Sequence, residues 1–368
     1  MRILFLSSTY DTSNGWGRYA TGCLGQAKKR LGEENAVAIE PSLLRSLALS
    51  WTQPLFAVLD ALRFLRLARS VQAIHALNEP AAPLASMLAK LAKKPYLVSI
   101  HGTWGDLDTL PRRLRSTYRR AFRAASAIVA VSRYTAEVVR RSIGADSRVE
   151  IIHGGFNPQS GPKPKAKGRG SGESFRVLSV GALKRRKGFH TLVDALIRLH
   201  EGGVKFHADF AGNLDDDGYV LTLTERVRAA GLTDSIIFKG EVSEEALADL
   251  YSRADLFVMP SEHAGTAFEG LGLVYLEALS YGVPVIGCLE SGAEDVIKDG
   301  VNGRLVPPGN AAALSDAIRE LLADESKYKT MSEAAPASIE PFRWEAVGEK
   351  MHGLYLDLVA PQPVTRKL

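Results

Sequence analysis

The stretch MPSEHAGTAFEGLGLVYLEALSYGVP, from Met259 to Pro284, decides the fold. Just ahead of it, Ala254 to Val258 (ADLFV) has the short, continuous apolar run of a buried strand. Pro260 and Ser261 end that strand, and a glycine-rich turn leads into an apolar helix. Gly270 and Gly272 allow the backbone to approach a ligand closely, and the first N–H groups of a helix have no intrahelical partner. Gly270, Leu271, Gly272 and Leu273 therefore form a candidate anion site, suited to a phosphate. Glu269 and Glu277 stand eight residues apart, a little over two helical turns, which predicts both carboxylates on one side of a helix start. Two such carboxylates suit a ligand rich in hydroxyls. The inferred ligand is a sugar joined to a phosphate.

Working outward, strand and helix patterns alternate along the whole chain, the mark of doubly wound α/β architecture. The spacing Glu269, seven residues, Glu277 sits within F-E-G-x-G-x-x-x-L-E-A-x-x-x-G-x-P-V. That run resembles the signature of family 4 retaining glycosyltransferases of GT-B fold. The resemblance implies two Rossmann-like parallel-sheet domains facing across a cleft. The donor would lie on the C-terminal side, the acceptor on the N-terminal side, and the domains would close on a hinge.

A length of 368 residues predicts two domains rather than one. With 46% hydrophobic and 24% charged residues, the composition is that of a soluble globular protein. Cys23 and Cys288 lie far apart without metal-ligand spacing, which predicts reduced thiols in a cytoplasmic protein. Met1 to Leu6 is too short for a signal segment, and no run of eighteen apolar residues predicts a membrane span. The net charge of +5 is concentrated: Arg112, Arg113, Arg115, Arg119, Arg120 and Arg123 fall in a stretch free of acids. Such a run is either a solvated helix face or a contact with an anionic surface. No aromatic-interleaved basic groove points to nucleic acid, so an anionic membrane is the expected peripheral partner.

From the N-terminus, Arg2 to Ser8 reads as a buried strand, and Gly15-Trp16-Gly17 opens a helix expected from Arg18. A glycine loop between strand and helix is a usual phosphate site. Its place matches the family's N-terminal glycine loop, which implies donor contacts at Gly15 and Gly17. Pro54 to Val71 has apolar residues at helical spacing, Leu55, Val58, Leu59, Leu62 and Leu65, beside a second stripe of Arg63, Arg66 and Arg69. Tyr96 to Ile100 is a strand ending in His101-Gly102. A histidine at the carboxyl end of a parallel strand lies where open α/β sheets bind ligands. In the family a histidine here approaches the transferred sugar, which implies a catalytic role for His101. Asp106-Leu107-Asp108 has the D-x-D form of a metal site, but the GT-B resemblance implies no metal, and Asp215-Asp216-Asp217 reads as a polar loop. Neither cofactor nor metal is expected.

Residues 1–157 form the expected N-terminal, acceptor-side domain, and 158–174, rich in Pro, Gly, Ser and Lys, the linker. Residues 175–342 form the expected nucleotide-sugar domain, and 343–368 a helix packing back on the first domain. In the second domain, Lys184-Arg185-Arg186-Lys187-Gly188 falls between a strand end and a helix start, where cations can neutralise a departing diphosphate. The family pattern G-R-L-x-x-x-K-G maps Lys187 and Gly188. Ala182 stands where the family has its first phosphate arginine, so Arg185 or Arg186 is expected to supply that charge. Gly212 resembles the turn near the diphosphate, and Val242 a segment bordering the nucleotide base.

The expectation is thus a retaining hexosyltransferase acting on a saccharide or lipid-linked acceptor in envelope polysaccharide, lipopolysaccharide or glycolipid synthesis. Lys187, Glu269 and His101 would be catalytic, and Glu277 would hold the ribose. Two alternatives stand beside it: another GT-B enzyme, such as a nucleotide-sugar epimerase, and a non-catalytic nucleotide-sugar-binding subunit.

Overall fold

The computed structural model describes residues 1–12, 14–40, 54–102, 105–144, 147–158, 174–214, 217–265 and 267–360. Of the expected linker, 159–173 lie outside the described residues, as do Asp215 and Asp216. The chain divides into two compact units, Met1–Gly155 with Phe342–Leu368, and Phe156–Pro341.

The first unit runs β1 (Ile3–Leu6), α1 (Gly15–Leu31), β2 (Ala36–Ile39), α2 (Pro54–Arg69), β3 (Ala73–Ala76), α3 (Ala82–Ala92), β4 (Tyr96–Ile100), α4 (Arg112–Arg123), β5 (Ala127–Ala130), α5 (Arg133–Ile143) and β6 (Val149–Ile151). Its six-stranded sheet has the order β2-β1-β3-β4-β5-β6 and is parallel throughout. Strands β1, β3, β4 and β5 are buried along their whole length. That is why they read as near-continuous apolar runs instead of alternating patterns, broken only by His75 in β3 and Ser99 in β4.

The second unit runs β7 (Phe175–Val180), α6 (Phe189–Glu201), β8 (Phe206–Ala211), α7 (Asp217–Ala229), β9 (Ile236–Gly240), α8 (Glu244–Arg253), β10 (Leu256–Val258), α9 (Leu273–Ser280), β11 (Val285–Cys288), α10 (Ala293–Val296), β12 (Gly303–Val306), α11 (Ala311–Ala323) and α12 (Glu325–Ser338). Its parallel sheet has the order β12-β11-β10-β7-β8-β9. The last helix, α13 (Trp344–Val359), belongs to the first unit and packs on α1. Trp344 is its buried anchor, its indole lying 5.8 Å from the Tyr19 ring.

Each sheet reverses its direction of growth once. In the first unit the reversal lies between β1 and β3, in the second between β7 and β10. Loops leaving such neighbouring strands splay apart and open a crevice at the carboxyl edge of the sheet, where ligands bind. Both units therefore put their loops after β1, β3, β7 and β10 in the ligand-binding position.

Two local expectations need correction. Helix α1 starts at Gly15, not Arg18, because Asn14 caps it: the Asn14 side chain accepts from the Gly17 N–H at 2.9 Å. On α2, Leu62 is 53% exposed, whereas Phe64 and Ala68 belong to the buried core of the unit and Leu65 and Leu67 pack against it. Of the expected apolar positions, Leu65 thus faces the core and Leu62 does not. The side chains of Leu55, Val58 and Leu59 lie outside the described residues.

Candidate active site

At the reversal point of the second unit, the loops after β7 and β10 bring together two residues far apart in sequence. The Lys187 ammonium lies 2.5 Å from Glu269 Oε2, and Arg186 reaches the same oxygen at 3.3 Å. The Ser261 hydroxyl donates to it at 3.4 Å. Lys187 and Glu269 are both largely withdrawn from solvent, with side-chain exposures of 12% and 10%. Burial pulls the Lys187 amine below the ordinary lysine range, with Glu269 opposing that shift. Burial also pushes the Glu269 carboxyl up, but Lys187 and Arg186 outweigh it and hold the group below its usual range. One carboxylate thus holds two cations in fixed places at the mouth of the sheet. The cluster carries a net positive charge, which suits an anionic ligand.

The backbone explains the arrangement. After β7 the chain makes a single 3-10 turn, Arg185–Lys187, and Gly188 then enters the left-handed region at φ 70° to start α6. A Cβ on Gly188 would fall 1.8 Å from the Pro260 carbonyl oxygen, so only glycine lets the Lys187 loop close against the β10 loop. The Gly181-to-Lys187 loop is tied to the end of β8 as well, through Leu183 N–H to Asn213 O at 2.8 Å. Gly212 sits beside that tie, donating its N–H to Gly240 O at 2.8 Å. Val242 follows at the carboxyl end of β9, half-buried.

Helix α9 begins at Leu273, with Gly272 at its N-cap in the left-handed conformation (φ 82°) and no side chain capping it. Glu269 therefore precedes the helix and does not share a face with Glu277, contrary to the reading from spacing. The Tyr275 hydroxyl, wholly buried, donates to Met259 O at 2.6 Å and pins the helix start to the end of β10. Gly270, Leu271 and Gly272 form the bend between Glu269 and the helix, and the helix end supplies the positive end of its dipole. Glu277, in the last turn, accepts a hydrogen bond from the Tyr251 hydroxyl at 2.7 Å.

The two candidate arginines separate cleanly. Arg186 faces Glu269, whereas Arg185 lies with its guanidinium 5.7 Å from the centre of the Tyr219 ring. One carboxylate escaped the sequence reading. Glu262 binds His190 at 3.2 Å and the Thr191 hydroxyl, and its backbone N–H donates to Arg186 O at 2.8 Å. Burial raises the Glu262 carboxyl, but the bonds from His190 and Thr191 bring it below its usual range. The only signal in the sequence was its place four residues beyond the end of β10.

In the first unit, Gly15 and Gly17 lie in the first turn of α1. The N–H of Gly17 is already used by Asn14, and a Cβ there would fall 1.7 Å from Asp11 O, so this glycine is required for packing. His101 stands at the carboxyl end of β4, donating from Nε2 to Leu77 O at 2.8 Å. The D-x-D residues serve local structure: Asp106 accepts from the Asp108 N–H at 3.0 Å, and Asp108 pairs with Arg115 at 3.1 Å. Among the described residues, no group of His, Cys, Asp and Glu side chains is arranged to hold a metal ion. Cys23 and Cys288 are free and buried, and burial pushes both thiols up to about 12.

Comparison with known proteins agrees with this architecture. Residues 163–338 match the family described as Glycosyl transferases group 1, and residues 23–160 match Glycosyltransferase Family 4. The chain is 30% identical to a GDP-mannose-dependent alpha-(1-6)-phosphatidylinositol monomannoside mannosyltransferase of Mycolicibacterium smegmatis, over 69% of this chain and 68% of that one. It is 28% identical to a D-inositol 3-phosphate glycosyltransferase of Xylanimonas cellulosilytica, over 65% and 59% of the two chains. Among solved structures, Anabaena HepE in complex with UDP superposes with a TM-score of 0.76 at 20% identity, covering 97% of this chain and 100% of that one. The sucrose-phosphate synthase of Thermosynechococcus elongatus also gives 0.76, at 22% identity and 98% and 100% coverage.

Proposed function

The chain belongs to the group 1 and family 4 glycosyltransferases, enzymes of GT-B fold, and on that premise we propose a retaining, metal-independent hexosyltransferase. It would move a hexose from a nucleoside-diphosphate sugar to a hydroxyl of a saccharide or lipid-linked acceptor in envelope polysaccharide or glycolipid synthesis. The observation that carries this reading is the Lys187–Arg186–Glu269 cluster at the reversal point of the second sheet. A leaving diphosphate gains negative charge as the glycosidic bond breaks, and two fixed cations meet that charge without reorganisation. Arg186, on this reading, replaces the charge that Ala182 does not supply. Glu269 orients both cations and faces the hexose, and Glu277 holds the ribose. The acceptor proton passes to the departing phosphate, consistent with reaction on one face of the sugar.

Exposed side chains of the first unit favour a lipid-linked acceptor, which on this reading would be met at the inner face of the cytoplasmic membrane. Helices α2, α3 and α4 pack side by side, and they carry the exposed apolar side chains Leu62, Met87, Leu91 and Leu114 among exposed Arg63, Arg66, Arg112 and Arg113. Apolar side chains set among cations suit an anionic lipid surface. Among the described residues no helix is long and apolar enough to cross a membrane, so the proposed contact is peripheral.

The test is thermal unfolding with UDP, GDP, ADP and dTDP and their sugar conjugates. A ligand at about 100 times its dissociation constant stabilises the folded state by about 2.7 kcal/mol. The nucleotide that raises the midpoint names the donor class. Transfer to acceptor in EDTA, with the anomeric configuration of the product read by NMR, then checks retention and metal independence. Stabilisation without transfer or hydrolysis would favour a non-catalytic binding subunit, and no response to any donor would overturn the reading.

A further inference from the structure

Three consecutive residues after β10 fasten the loop that carries the cations. The Pro260 carbonyl oxygen occupies the place where a side chain on Gly188 would fall. The Ser261 hydroxyl reaches Glu269 Oε2 at 3.4 Å. Glu262 donates its backbone N–H to Arg186 O at 2.8 Å, ahead of Gly188, and turns its carboxylate to the residues just after it. There Oε1 accepts from the Thr191 hydroxyl, and Oε2 meets His190 Nε2 at 3.2 Å. One residue thus grips both sides of Gly188.

This grip is not a helix cap. No side chain caps α6, and the Glu262 oxygens take side chains of its first turn rather than its free N–H groups. An apolar side chain would pack there without desolvating a charge, whereas the carboxylate fixes direction. His190 is in turn held from α7. The Tyr219 hydroxyl accepts the His190 backbone N–H at 3.0 Å and meets the ring Nδ1 at 2.8 Å. An ionised carboxylate only accepts, so His190 carries a proton on Nε2 whether its ring is neutral or charged. The Tyr219 ring also has the Arg185 guanidinium over its face. The cations of the turn are therefore sorted, Arg185 to Tyr219 and the next two to Glu269.

We propose that Glu262 is a positioning residue of the diphosphate site: its carboxylate clamps the start of α6 to the β10 loop, so that the turn ahead of Gly188 presents Arg186 and Lys187 together to the two phosphate groups. This rests on reading the Lys187 cluster as a diphosphate site, not on the transfer reaction. General attraction to an anion survives a small shift of the turn. Charge-assisted hydrogen bonds from two cations at once do not, because a displacement of about 1 Å spoils their geometry.

Isothermal titration with inorganic pyrophosphate tests this on the whole protein, with neither base nor acceptor needed. Glu262→Ala should weaken pyrophosphate binding about 10-fold, the scale of one charge-assisted hydrogen bond. Glu262→Gln, whose amide can accept from His190 and donate to the Thr191 oxygen, should recover most of that loss. Thr191→Val, which removes one grip and keeps the shape, should weaken binding about 3-fold. Coupling is the readout that a merely structural residue would not move. In a Lys187→Ala background, Glu262→Ala should cost no more than about 3-fold, because its effect runs through the same turn. The same 10-fold loss in both backgrounds, or wild-type affinity in a folded Glu262→Ala, would overturn the proposal. Should Glu262→Ala fail to fold, Thr191→Val and its coupling to Lys187→Ala decide in the same way. NMR of 15N-labelled imidazoles, with the His190 signal assigned by its loss in His190→Gln, should show Nε2 protonated; a bare Nε2 breaks the clamp as drawn. A wild type that binds pyrophosphate but transfers no sugar defeats the transferase reading alone. One that binds no pyrophosphate defeats the diphosphate site, and this proposal with it.

Discussion

The two sheets meet the same problem with opposite chemistry. At the reversal point of the second unit, the side chains after β7 and β10 are ionised: Lys187 and Arg186 converge on Glu269. At the reversal point of the first, the side chains around β1, β3 and β4 are mostly neutral, a chain from Tyr355 through His75 and Ser99 to Tyr19. Fixed charge suits a ligand whose own charge grows during reaction. The neutral chain is buried, with Tyr19, His75, Ser99 and Tyr355 each 4% exposed or less, so its hydrogen bonds hold the first unit itself together. On the proposed reading, the charged cluster of the second unit is the part that fits a diphosphate.

The comparison can be broken most severely at Glu269. Replacing it with alanine leaves Lys187 buried and uncompensated, which should cost about 3–5 kcal/mol of stability in denaturant unfolding. Glu269→Gln, which keeps a polar partner, should cost less. A small effect of Glu269→Ala would mean that the cluster is not an ionised one. Lys187→Ala removes one leaving-group stabiliser and should lower kcat by roughly 10²-fold or more. An unchanged rate would remove Lys187 from the chemistry.

Tyr355→Phe strips His75 Nδ1 of its partner in a buried setting and should cost about 1–3 kcal/mol, all of it in the first unit. That can be read selectively, because the sequence has no tryptophan between residues 156 and 341, the second unit, while Trp16 and Trp344 fall in the first. Tryptophan fluorescence reports that unit, while far-UV circular dichroism reports both. The smallest effect is expected from Asp108→Asn, which loses an exposed pair with Arg115. Stability should change by about 0–1 kcal/mol and transfer not at all, whereas a lost activity would return the D-x-D segment to the site.

Acid should separate the units too. Burial lowers His75 from 6.5 to about 3, so the folded state keeps it neutral while the unfolded chain protonates it. The unfolded state then binds more protons below 6.5, and the first unit loses stability as pH falls from there toward 3. Glu269 has its folded value lowered, so its contribution is present above the ordinary carboxylate value, about 4.3, and lost as pH falls further. Tryptophan fluorescence should therefore begin to shift at a higher pH than the circular dichroism of the remainder. Coincident transitions would mean that the units do not unfold separately.

Local pattern carried much of this. Strand ends followed by glycine, the cations before Gly188 and the run from Phe268 to Val285 depend on neighbours in sequence, and each is legible where it stands. The errors arose where local spacing was asked to settle a tertiary question. Glu269 and Glu277 are spaced as if on one helix, yet Gly272 delays the helix and turns Glu269 toward Lys187. Leu62 has helical spacing, yet it is exposed while Phe64 and Ala68 enter the core beside Leu65.

The sequence by itself determined two doubly wound units, the family to which they belong, and the two strand ends that carry Lys187 and Glu269. Only the tertiary structure decided that Arg186 rather than Arg185 joins them, that Glu262 supports the same loop, and that Glu79 holds His101. The physical reason is the parallel sheet. It places side by side loops separated by 82 residues for Lys187 and Glu269 and by 22 for Glu79 and His101, and no local pattern records which side chain meets which across that gap.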